Sequence, residues 1–245
     1  MRTLPSRLQW PAATVLALLA AGAILSGSSA TALMALGVGA AAILAARYWP
    51  TGTYWAVASA WTVAVLFALP LALFLFRAEV HKAPWLFDSA RDRIAIWGFT
   101  AERAIEHPIL GIGTRSTRVL VNREKKNKPE ATEPSQYVPP VVVLGALNAP
   151  PRFGHHAHNN FLQIWLELGA VGAALVLAVG LGLLQLIRHM RCDIRPYAFG
   201  AFTSACIIAS FGFGLWQAWL LCGYALSIIL INLARAIAEP RTDLS

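Results

Sequence analysis

The sequence predicts an all-α fold: a polytopic bundle of about six transmembrane helices with one long extracytoplasmic loop that carries a short amphipathic helix. Three observations predict it. The 245-residue chain is 57% hydrophobic and 13% charged, with a mean hydropathy of +0.57, which leaves too little polar surface to cover a soluble domain of this size. Its apolar residues gather into stretches near 11–27, 31–46, 54–76, 160–187, 197–213 and 217–233, at or near the length that crosses a hydrocarbon core. A single long hydrophilic stretch, 77–158, separates the first three from the last three.

The elements follow in order. Residues 1–76 hold three spans. The first, preceded by Arg2 and Arg7 and followed by small residues, has the outline of a signal peptide, but the next apolar stretch begins too soon for a released domain, so it reads as an anchor. Residues 159–245 hold three more spans and a tail, the stretches at 197–213 and 217–233 being short. If the spans alternate, Arg2, Arg7, Arg47, Arg188, Arg191, Arg195, Arg235 and Arg241 fall on one side, which the positive-inside rule makes cytoplasmic. The 77–158 loop is then extracytoplasmic. A soluble nucleic-acid binder, suggested by the pI of 9.9 alone, is poorly supported because the basic residues are dispersed over loops on both faces. Cys192, Cys206 and Cys222 fall in a cytoplasmic loop or within spans, so no disulfide is expected.

The loop divides into three. Residues 89–107, stopped by Pro108, predict a helix opened by Ser89-Ala-Arg-Asp92, close to a capping box. It carries Arg93, Trp97 and Ala101 on one face, with Arg91 turned elsewhere. An Arg beside a Trp at a membrane surface often only snorkels. From Arg115 to Pro134, Arg118, Arg123, Lys125, Lys126 and Lys128 form a charge run, either a solvated surface or a patch for anionic lipid headgroups or acidic glycolipids. Tyr137–Leu144 and Asn148–Pro151 are apolar and proline-broken, suited to a lid or to a membrane-resting segment.

At the mouth of the fourth span stands His158-Asn159, then nine residues, then Gly169-Ala-Val-Gly172. On a continuous helix of about 100° per residue, Gly169, Gly172 and Ala173 return to the face of His158 and place a small-residue stripe beneath one imidazole. Small residues let another helix approach, and an ionisable group at a span end is a functional candidate. Asn159, Gln163 and Glu167, four apart, form a second, polar stripe, with Glu167 about 13 Å along the axis from His158. So deep a carboxyl needs a partner or a proton, and an interhelical hydrogen bond that fixes packing is its expected role. His155, His156 and His158 have no Cys or carboxylate nearby to complete a metal site, so no metal is expected.

Gly154 to Gly172 resembles the His-Asn/Ser/Gln, nine residues, Gly-x-x-Gly signature of the O-antigen ligase family, with Ala173 where Thr is frequent. Arg93-Ile-Ala-Ile-Trp97 and Pro108-Ile-Leu-Gly-Ile-Gly113 are similar to that family's Arg-x-x-x-Trp and Pro-x-x-Gly-x-Gly elements, and the resemblance spans roughly residues 12–180. It implies an integral membrane glycosyltransferase that moves a preassembled glycan from a polyprenyl diphosphate to a hydroxyl acceptor, most commonly the lipid A core, on the periplasmic side of the bacterial inner membrane. Membrane lipids are its surroundings, and no cofactor is implied. His158 would serve as base and Arg93 would hold the pyrophosphate, with Asn159, His156, Arg91, Arg115 and Trp97 contacting substrate. O-antigen polymerases and protein O-oligosaccharyltransferases share the donor and differ in acceptor. A truncated, non-catalytic membrane assembly protein is the competing class, because the chain resembles the carboxy-terminal half of the family. Leu25–Ala32 resembles the family's Ser-Arg turn, but Ser29 stands where its Arg is expected. Arg77, Arg91 and Arg115 are the candidate replacements.

Overall fold

The computed structural model describes residues 29–116, 157–212 and 214–238, together with Gly22, Ser26 and Gly27. The described residues form six α-helices and no strand. They are α1 (Ala30–Tyr48), α2 (Pro50–Arg77), α3 (Asp88–Glu106), α4 (Asn160–Arg188), α5 (Arg195–Phe211) and α6 (Ala218–Ala238), with a single 3₁₀ turn at Val80–Lys82. The chain is a multi-pass helical membrane protein. Ala30–Tyr48, Pro50–Arg77, Asn160–Arg188 and Ala218–Ala236 are long and apolar enough to cross a bilayer. The expected 197–213 span forms the 17-residue α5, near the lower limit for crossing, and most of the 11–27 stretch lies outside the described residues.

Local chemistry sets the boundaries. Ser29 caps α1, its Oγ accepting from the amide of Ala32 at 3.3 Å. Only Trp49 separates α1 from α2, where Pro50 at the first helical position lacks the amide that a helix start cannot satisfy. The two helices are therefore antiparallel neighbours. α1 packs mainly on α5 through small residues: a Cβ added to Gly200 would lie 3.0 Å from the Gly39 carbonyl oxygen, and Ser204 donates to the Ala35 carbonyl at 2.8 Å.

α2 and α4 form the second layer. Trp61 and Trp165 donate their indole N–H groups across the interface, to Leu177 O at 3.4 Å and Val65 O at 2.8 Å. Three apolar clusters run along the bundle. One joins Tyr54, Leu184 and Phe199, a second joins Val65, Phe161 and Ile164, and a third joins Ala72, Leu162 and Ala101. The last contains α3, which lies on α2 and α4 with Ala95, Gly98 and Ala101 inward. Arg188 stacks on Tyr54 at one end, while Thr31 bonds the carbonyl of Phe211 at the other. The termini carrying Arg47, Arg188 and Arg195 thus lie opposite the end that holds α3 and residue 158.

Candidate functional site at the end of α4

α3 begins at Asp88 with Phe87 as its flanking residue and no side-chain cap, so the expected Ser89 capping box does not form. Its first turn is held otherwise: Arg91 donates to the Pro84 carbonyl at 2.9 Å and lies 3.6 Å from Asp88. Arg91 is thereby committed to the chain entering α3. Arg93, two residues on, is half-buried. One turn further, Trp97 donates its indole N–H to the Ala157 carbonyl at 3.0 Å, which ties the face carrying Arg93 to the backbone just before His158.

His158 does not lie on the helix. Its φ of 53° is left-handed and Asn159 is extended, so α4 starts at Asn160. The line expected from His158 to Gly169 and Ala173 fails for that reason, and again because Gly169 (φ 62°, ψ −157°) breaks α4. Asn159 is occupied as the N-cap: its Oδ1 accepts from the Leu162 amide at 3.1 Å. The imidazole of His158 is held below its ordinary pKa, first by burial and next by the positive charge of Arg93, while a backbone hydrogen bond at Gly212 opposes both. Phe211 meets Trp97 with ring centroids 6.5 Å apart. α3 and the α5–α6 connection thus flank His158.

The two glycine motifs, read separately in the sequence, meet in space. The break at Gly169 frees helical carbonyls on one side and amides on the other, and the loop after α3 takes up both sets. Ile112 N donates to Leu166 O at 2.9 Å and Gly113 N to Glu167 O at 3.0 Å. Ala170 N and Val171 N donate to Pro108 O and Ile109 O at 2.8 and 3.2 Å. Glu167, 1% exposed, accepts from Arg115 N at 2.9 Å, from Gln163 Nε2 at 3.0 Å and from the indole of Trp216. Gln163 Oε1 in turn accepts from Leu215 N at 3.0 Å.

The structure therefore gathers Arg93, Trp97, His158 and Asn159 at one end of α4. Arg115 joins through its backbone, which is left-handed at φ 62°. His156 lies outside the described residues, as do His155 and the charge run from Arg118 to Lys128. Among the described residues no three His, Cys, Asp or Glu side chains are grouped as a metal site requires. Ser29 lines, with Gly212 and Tyr224, a cavity of about 400 Å³ between α1, α5 and α6. Sequence reasoning missed Gly212, Leu215 and Trp216. Their only local signal is the Gly-rich turn before Trp216.

A family model described as O-Antigen ligase (Wzy_C) matches residues 14–177. The chain belongs to the O-antigen ligase family. The match covers α1 to the middle of α4, including both glycine motifs and His158. Among curated relatives, a candidate polysaccharide ligase of Rickettsia typhi and another of Rickettsia prowazekii are each 29% identical over 59% of this chain and 32% of their own length. A third, from Rickettsia felis, is 30% identical over the same shares. The matched part of this O-antigen ligase family member thus spans about a third of the length of these relatives. No solved structure matches.

Proposed function

We propose that this chain carries the catalytic end of an O-antigen ligase-type glycosyltransferase that moves a preassembled glycan from polyprenyl diphosphate to a hydroxyl acceptor, the lipid A core, on the periplasmic side of the inner membrane. The observation that carries the proposal is the hydrogen bond from Trp97 to Ala157, which brings the α3 face carrying Arg93 to His158, whose pKa burial and that cation both lower. A neutral imidazole accepts a proton, and a guanidinium forks onto phosphate oxygens.

His158 takes the proton from the acceptor hydroxyl as its oxygen bonds to the anomeric carbon of the donor sugar. The bond from that carbon to the phosphate oxygen breaks, and the electron pair leaves with the pyrophosphate, whose charge Arg93 bears. Trp97 aligns the two through its bond to Ala157. The donor is lipid-borne because soluble nucleotide sugars are cytoplasmic. The proposal is tested by transfer from polyprenyl-diphosphate oligosaccharide to lipid A core in membranes. Arg93→Ala and His158→Ala, at matched insertion, are each expected to lower the rate by ~10²–10⁴-fold. Full transfer by His158→Ala overturns it.

A further inference from the structure

Glu167 buries a carboxyl that the transfer chemistry does not use, about two turns into α4 from the site and two residues before the break in that helix. An apolar side chain would occupy that place without the cost of taking a carboxyl out of water. What the carboxyl adds is direction. Its two oxygens receive donors from three elements: Arg115 N from the loop after α3, Gln163 Nε2 from α4, and the indole of Trp216 from the α5–α6 connection. Gln163 extends the same hold to Leu215 N at 3.0 Å. The connection so held begins at Gly212, whose backbone bonds His158, and follows Phe211, whose ring meets Trp97.

We propose that Glu167 is a positioning residue which, through Gln163 and Trp216, fixes the α5–α6 connection so that Gly212 holds the His158 ring beside Arg93. The proposal rests on the reading of His158 as the base. Two elements act on this ring: α3 brings the Arg93 charge, and the connection brings the Gly212 backbone and, with Phe211 against Trp97, helps to enclose it. Loosening the connection removes both of its contributions. Burial is the larger of them, so the ring titrates closer to the free imidazole value of about 6.5.

The test is acylation of neutral imidazoles by diethyl pyrocarbonate on the full chain in membranes, followed residue by residue by peptide mass spectrometry across pH. Glu167→Gln keeps the size and replaces one acceptor oxygen by a donor. Trp216→Phe keeps an aromatic ring at the position and removes the indole N–H together with the second ring, and it answers even if the first variant inserts poorly. Both are expected to speed labelling of His158 several-fold and to raise its midpoint, while His81, buried in the 3₁₀ turn before α3, labels as before. Unchanged labelling of His158 in both variants overturns the proposal. Equal acceleration at His81 overturns it too, because Glu167 would then serve folding at large. Neither result bears on the transfer reading, which falls only if His158→Ala keeps transfer.

Discussion

The amide nitrogen of Gly111 stands in the space that a side chain on Gly169 would need, and the main chain just before Gly169 fills the side-chain space of Gly111. A Cβ added to Gly169 would lie 2.7 Å from Gly111 N, and one added to Gly111 would lie 2.5 Å from Leu168 N. Both have left-handed backbones, at φ 67° and 62°. The Pro-x-x-Gly-x-Gly and Gly-x-x-Gly elements are therefore two halves of one contact, in which a loop supplies the hydrogen bonds that a broken helix has lost.

Gly111→Ala and Gly169→Ala are expected to be strongly destabilising, because each adds backbone strain of order 1–3 kcal/mol to a collision with main chain that cannot swing away. Gly182→Ala meets nothing within 4 Å inside α4 and is expected to gain about 0.5–1 kcal/mol. Thermal unfolding of detergent-purified variants ranks the three. Equal stability for Gly169→Ala and Gly182→Ala would remove the packing account of the break.

This contact shows what was legible in the sequence and what was not. The apolar stretches and the two motif blocks locate the bundle, α3 and the end of α4 where the candidate residues gather, since length and spacing carry that information. His158 and Gly169 do not share a helix face, because His158 precedes α4 and Gly169 breaks it, and a glycine's φ depends on what approaches it from elsewhere in the chain. Glu167 is expected to make an interhelical hydrogen bond; instead it accepts from Gln163 on its own helix and from two connecting segments, at Arg115 and Trp216. Its partners at Arg115 and Trp216 lie 52 and 49 residues away, beyond any local pattern.

Arg93 lowers the pKa of His158, so its removal has a signed consequence. A base must be neutral, and transfer by the unsubstituted chain is expected to hold down to a pH below about 6.5. Arg93→Gln should move the acid limb of the residual kcat/KM upward. Stability follows by linkage: folded His158 binds its proton less readily than the unfolded chain does, so its contribution is complete above about pH 6.5 and declines as pH falls from there through the lowered pKa. An acid limb unmoved by Arg93→Gln would separate the two residues.

His81 tests the same physics away from the site. It is 8% exposed and stacked on Phe76 with centroids 5.1 Å apart, and its Nδ1 has no hydrogen-bond partner among the described residues. Burial, then Lys82, lowers its pKa against the pull of Glu79. His81→Phe keeps the stack and removes the orphaned nitrogen, so it should stabilise the protein by about 1 kcal/mol. The gain should grow on acidification from pH 7 to 5, because the histidine, not the phenylalanine, must resist protonation. Melting curves at the two pH values decide it, and a gain independent of pH would leave only the packing contribution.

Ser29 occupies the position where the family resemblance leads one to expect Arg, and the structure gives it a different task. Its hydroxyl caps α1, and it lines the cavity shared with Gly212, the residue bonded to His158. Ser29→Arg exchanges a cap for a cation. The lost cap is expected to cost about 0.5–2 kcal/mol of stability, measurable as a lower melting temperature. A guanidinium entering that cavity beside Gly212 should add a charge-assisted hold on the donor pyrophosphate, and so lower the donor KM in the transfer assay while the acceptor KM stays put. A melting temperature that falls with no change in donor KM would mean that the end of α1 faces away from the donor and that Arg93 bears the phosphate charge without help from this helix.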